Sequence, residues 1–117
     1  MASPDGRSPE VAVRQRVFVL LRPRGPFGRY WVAISAKAPF WRKHILFQRF
    51  ARRTGSWQTL RKVVLTESGG HEGSGEAVSS ATFTARLPKG TLVRAFVPES
   101  QARPCYLPGA SGQLRTP

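Results

Sequence analysis

The sequence predicts a small all-β protein, an antiparallel β-sandwich of about seven strands, and three observations carry that expectation. Short apolar runs alternate with Arg, Thr or Gln, as in Gln48 to Phe50, Trp57 to Leu65, Ala81 to Arg86 and Leu92 to Val97. A period of two sends one set of side chains to a buried face and the other to solvent, which is a strand pattern. Each run is closed by Gly, Pro or Ser, and the chain of 117 residues, 40% apolar, is long enough for one modest core and too short for two ordinary domains.

Taken in order, Met1 to Glu10 is polar, carries two prolines and reads as a flexible lead-in before a single domain over 11–117. It lacks the apolar stretch of a secretory signal. Val11 to Leu21 is the first strand expected, with Val11, Val13, Val17 and Val19 alternating against Arg14, Arg16 and Phe18; Arg22 to Gly28 is dense in turn residues and should end it. Arg29 to Ala36 follows, with Tyr30, Val32 and Ile34 on one face and Trp31 and Ala33 on the other. His44 to Arg52 reads two ways. As a strand it separates Ile45, Phe47 and Arg49 from Leu46, Gln48 and Phe50; as a basic amphipathic helix it aligns Phe40, His44, Phe47 and Ala51. The short Thr54-Gly55-Ser56 turn before Trp57 to Leu65 favours a hairpin, hence the strand.

Glu67 to Ser80, rich in Gly and Ser, is expected as an exposed loop. Ala81 to Leu87 and Thr91 to Val97 form a second hairpin around Pro88-Lys89-Gly90. Beyond Pro98 the chain reads as irregular, with a short last strand at Gln113 to Arg115. Trp57, Val64, Phe83, Leu87, Val93 and Phe96 are expected in the core or at its rim, and Tyr106, two residues after Pro104, is placed to tether the last loop through its hydroxyl.

Charge is the strongest compositional signal. There are 19 basic residues against six acidic ones, a net +13. Between Val11 and Thr66 there are 13 Lys and Arg and no Asp or Glu, so that half accounts for the whole excess. Such a field attracts polyanions. If the cations only decorate the solvent side of the strands, binding to polyanions is weak and salt-labile. If they converge, Arg42, Lys43, Arg49, Arg52, Arg53, Arg61 and Lys62 are the candidate polyanion-binding set, with Phe40 and Trp41 as a stacking surface. An OB-like nucleic-acid barrel would serve that second reading.

Catalytic and metal chemistry finds little footing. His44 and His71 lack the spacing of a metal pair. Cys105 is the single cysteine, so no internal disulfide is available and no activating partner is discernible. Ser68, Ser74 and Ser79 sit in loop composition, and the glycines at 69, 70, 73 and 75 lack the Lys of a phosphate loop. No enzyme activity and no cofactor are expected, and no apolar run is long enough to cross a bilayer.

Several stretches together carry a resemblance: Leu46 to Arg49, Gly55 to Val63, Phe83 to Pro88 with Gly90, Val93 to Pro98, and Gln101 to Gly109. Over Tyr30 to Ser111 the chain resembles the Ig-like β-sandwich modules of secreted and cell-surface proteins of actinobacteria, kin in form to carboxypeptidase-regulatory-like and fibronectin-type repeats. The resemblance implies a monomeric, non-catalytic spacer or adhesion module of a larger exported protein, its partner another protein or a cell-envelope polymer. Cys105 stands where such modules carry Gly; a positive φ there would strain a Cys.

Overall fold

The computed structural model describes residues 14–25, 28–70 and 76–117. In chain order the elements are β1 (Phe18–Pro23), β2 (Arg29–Ala36), β3 (His44–Ala51), β4 (Ser56–Val64), β5 (Glu67–Gly70), β6 (Ala77–Thr84), β7 (Leu92–Val97), the short helical turn α1 (Glu99–Ala102), β8 (Gly109–Ala110) and β9 (Leu114–Arg115). All pairings between strands are antiparallel. They form two sheets: one of four strands ordered β1-β2-β6-β5, and one of five ordered β4-β3-β7-β8, with β9 also on β7.

The alternation read from the sequence drives the packing. Tyr30, Val32 and Ile34 of β2 point inward with Val19 and Leu21 of β1 and with Ala81 and Phe83 of β6; they meet Ile45 and Phe47 of β3, Val63 of β4, and Val93, Ala95 and Val97 of β7. The Tyr30 and Phe47 rings touch across the gap at 5.5 Å, and Phe47 meets Phe83 edge-on at 4.9 Å. A side chain of this kind contributes about 1.5–3 kcal/mol on burial, so each ring of this stack helps hold the two sheets together. His44–Ala51 is a strand, as the hairpin argument favoured.

Two tight points hold the hairpins. Gly55, at φ 68°, donates its N–H to the Ala51 carbonyl and closes the β3–β4 turn. Gly28, at φ 73°, leaves no room for a Cβ, which would lie 2.5 Å from the Ala85 carbonyl oxygen.

The structure departs from the sequence reading in several places. The hairpin expected around Pro88-Lys89-Gly90 does not form: β6 pairs with β2 and β5 in one sheet and β7 with β3, β8 and β9 in the other, so this turn crosses between the sheets. The described residues form nine strands, not seven; β5 and β8 are the additions. β5 lies in the stretch expected as a loop: Glu67–Gly70 pairs with Ala77–Ser80, and Gly and Ser hid it because they carry almost no strand propensity. β1 begins at Phe18 and runs through Arg22 and Pro23, where a turn was expected; Pro23 is tolerated at the end of an edge strand, where its missing N–H costs no central ladder bond. Val11 and Val13 fall outside the described residues. Val63, not Val64, is buried (5% against 47% exposed). A bulge sets Trp57 and Val64, of opposite parity, on the same outer face: Phe47 pairs with Arg61 but Gln48 with Thr59, leaving Leu60 as an extra residue and switching the faces of β4. Among the described residues the positive φ outside glycine belongs to Arg42, at 71°, and not to Cys105.

Phe83 and Val93 are in the core and Leu87 packs against it. Tyr106 tethers as expected. Its hydroxyl accepts the Ala38 N–H at 2.9 Å, its ring lies 5.3 Å from Phe40, and its N–H reaches the Ala102 carbonyl.

Candidate interaction face

The seven candidate cations do not converge. β3 and β4 form one long hairpin, and the set is divided between its two ends and its inner edge. At the end preceding β3, Arg42 lies over the Trp41 ring at 4.4 Å, and Trp41, 48% exposed, donates its indole N–H to the Thr66 carbonyl. Phe40 is only 2% exposed, packed against Tyr106 with the Lys43 ammonium 5.7 Å from its ring centre, so it offers no stacking surface. At the far end, Arg52 and Arg53 occupy the exposed turn, and Arg49 donates Nε–H to Gln58 Oε1. Arg61 turns inward, where its guanidinium donates to the Thr84 carbonyl at 2.7 Å and covers Phe83, closing the open edge between the sheets. Lys62 points outward beside Leu46. His71, Glu72, Gly73, Ser74 and Gly75 lie outside the described residues.

What the fold does bring together is the outer face of the five-stranded sheet. Strand register places its residues in three cross-strand rows: the pairs Trp57–Phe50 and Leu92–Arg115 at one end; then Thr59, Gln48 and Arg94; then Lys62, Leu46, Phe96 and Ala110. Arg94 is the centre. Its guanidinium lies 4.4 Å from the Trp57 ring centre and 5.0 Å from that of Phe96, and its Nε–H donates to Gln48 Oε1 at 2.8 Å. Gln48, itself 7% exposed, is held by Thr59 at 3.1 Å, and Phe50 meets Trp57 edge-on at 5.4 Å. Trp57 and Phe96 thus lie outside the core, half-buried under a cation.

Burial lowers the pKa of Arg94 below its ordinary value, because the half-buried guanidinium has rings on two sides where water would otherwise solvate it. No Asp or Glu occurs in β3, β4, β7, β8 or β9. Of the described carboxylates, Glu67 lies on β5, Glu76 bonds Ser35 of β2, and Glu99 is paired with Arg14 and Arg103. Beside the face, Arg49, Arg52 and Arg115 border a cleft of about 370 Å³ floored by Phe50 and Leu92.

Gln48, Phe50, Trp57, Arg94, Phe96 and Arg115 were absent from the candidate set, or, for Trp57 and Phe96, were read as core. A signal was available: Leu92, Arg94 and Phe96 are three long side chains on the non-core parity of one strand, and solvent needs none of them to be aromatic.

Among the described residues there is no group of three or more His, Cys, Asp or Glu able to hold a metal ion. Cys105 is exposed and free. Ser79, 1% exposed, accepts the Phe40 N–H at 2.9 Å, and Ser68 lies on β5. No described helix is long and apolar enough to cross a membrane. No protein-family model, no curated protein and no solved structure matches this chain.

Proposed function

We propose that the chain is a non-catalytic interaction module, an immunoglobulin-like sandwich that recognises its partner with the outer face of the five-stranded sheet. The observation that carries this reading is Arg94, clamped between Trp57 and Phe96, bonded to Gln48, and set on a face whose strands hold no carboxylate. Trp and Arg are the residues most enriched where binding energy concentrates, and a guanidinium already fixed by its neighbours loses little freedom on meeting an acceptor. The strand order β1-β2-β6-β5 against β4-β3-β7-β8 supports the immunoglobulin-like assignment, since it follows the ABED and CFG order with one strand added at the edge. The resemblance to modules of exported proteins supports a place in a longer, exported chain.

The test compares the two outer faces on an array of glycans and proteins. Ligands retained by the wild type should be lost by the Arg94→Ala/Trp57→Ala variant and kept by Phe18→Ser on the opposite sheet. Identical profiles for both variants would sink the assignment of the face. A second reading, polyanion binding in general, is favoured by the absence of carboxylates from this sheet, and it sets the chemistry of the partner considered next.

A further inference from the structure

The positions of the cations on this face carry the inference further, and it rests on the outer-face reading. Lys62 on β4, Arg94 on β7 and Arg115 on β9 step one row at a time across the sheet. With strands about 4.8 Å apart and alternate residues about 6.8 Å apart along a strand, Lys62 and Arg94 are separated by about 12 Å and Arg94 and Arg115 by about 8 Å at the backbone. The three therefore form a diagonal track rather than a cup. A cup suits one compact anion; a track suits a chain that carries anionic groups at intervals.

The aromatic rings decide between chains. Base stacking requires an open ring face. The Arg94 guanidinium lies over both Trp57 and Phe96, and Phe50 is set edge-on against Trp57. Among the described residues the most exposed rings, Trp41 at 48% and Phe18 at 65%, lie elsewhere, in the turn before β3 and on the opposite sheet. A saccharide chain needs no bare π-face: its C–H edges pack on partly covered rings, its hydroxyls exchange hydrogen bonds with exposed groups such as Thr59, and its acidic groups meet the cations. The Nε–H of Arg94 goes to Gln48 Oε1, so among the described residues the two terminal nitrogens of Arg94 have no acceptor and are the natural donors to a carboxylate or sulfate.

We propose that the outer face of the five-stranded sheet binds an extended acidic polysaccharide along the Lys62–Arg94–Arg115 diagonal, with Arg94 as the anchoring cation. The probes are polygalacturonate, which carries carboxylates, heparin, which adds sulfates, dextran as the neutral control, and oligo(dT), titrated calorimetrically at physiological salt. Both acidic glycans should bind and dextran should not. Arg94→Ala should weaken glycan binding by about tenfold, the loss of one charge-assisted contact, while Phe18→Ser leaves it unchanged. Gln48→Glu, which supplies Arg94 with an internal carboxylate and keeps its shape, should cause the same loss and serves if Arg94→Ala fails to fold by thermal denaturation. If oligo(dT) binds more tightly than either glycan and depends equally on Arg94, the face stands but this partner is overturned. If glycan binding is indifferent to both variants, the face and the partner are overturned together.

Discussion

The two outer faces of the sandwich are built from the same kinds of residue and solve opposite problems. On the four-stranded sheet Phe18, Leu20, Trp31, Ala33 and Val78 surround a shallow depression of about 180 Å³. Cations stay at its rim, with Arg24 5.1 Å from the Trp31 ring centre. Apolar neighbours cover one another so well that Ala33, which points away from the core, is 5% exposed. On the five-stranded sheet a polar strip of Thr59, Gln48 and Arg94 runs between the aromatic rows instead. One face hides apolar surface behind more apolar surface; the other keeps a guanidinium at its centre. The protein's charge is therefore organised by sheet, which a net value of +13 does not convey.

The largest contrast should come from placing one carboxylate at the middle of each face. Ala33→Asp sets a charge beside Leu20 and Ser80 with no cation opposite in the register, and should cost about 2–4 kcal/mol in chemical denaturation. Gln48→Glu sets the same charge against Arg94 and should leave the denaturation midpoint nearly unchanged. Equal losses from the two would show that the faces do not differ as described.

Arg94→Ala should destabilise by about 1–2 kcal/mol, since it removes a hydrogen bond to Gln48 and two ring contacts of about 0.5–1 kcal/mol each at sites open to water. A double-mutant cycle with Gln48→Ala should reveal a coupling of about 0.5 kcal/mol or more; strict additivity would show that the pair is incidental. A smaller effect, within about 0.5 kcal/mol, is expected for Phe18→Ser, because that ring is 65% exposed and loses little by truncation.

The smallest effect is a pH dependence at the margin of the five-stranded face. Burial, and after it the Lys62 ammonium, lowers the pKa of His44 below its ordinary 6.5. The unfolded chain then binds the proton more readily than the folded one, so stability is full above the ordinary value and falls as pH drops through about 6.5 toward the lowered folded value. His44→Gln should flatten that segment of the curve, and Lys62→Ala should reduce it without removing it, since burial remains.

Where alternation and core coincide, the sequence was sufficient: Tyr30, Val32 and Ile34, or Ile45 and Phe47, sort to the correct face by period alone. It failed where parity changes within an element. Nothing in Trp57 to Val64 announces that Leu60 is an extra residue, so simple alternation does not reveal that Trp57 and Val64 share the outer face. β5 was missed because pairing with β6 needs only backbone groups, which glycine and serine supply without a pattern. The outer face of the five-stranded sheet was illegible for a different reason. Its residues come from strands far apart in the chain, and Arg94 is one Arg among 15 until register sets it beside Gln48 and Trp57.

The bulge at Leu60 has a consequence for how copies of the molecule meet. β4 is the border strand of its sheet, and its unpaired backbone groups would otherwise template the addition of a neighbour's strand. An unmatched residue in mid-strand breaks the regular spacing that such docking needs, and Arg61 and Lys62 beside it would face their own likes in an incoming copy. The irregularity that turns Trp57 outward also guards the sheet against polymerisation, so a variant lacking Leu60 should form fibres more readily than the parent chain.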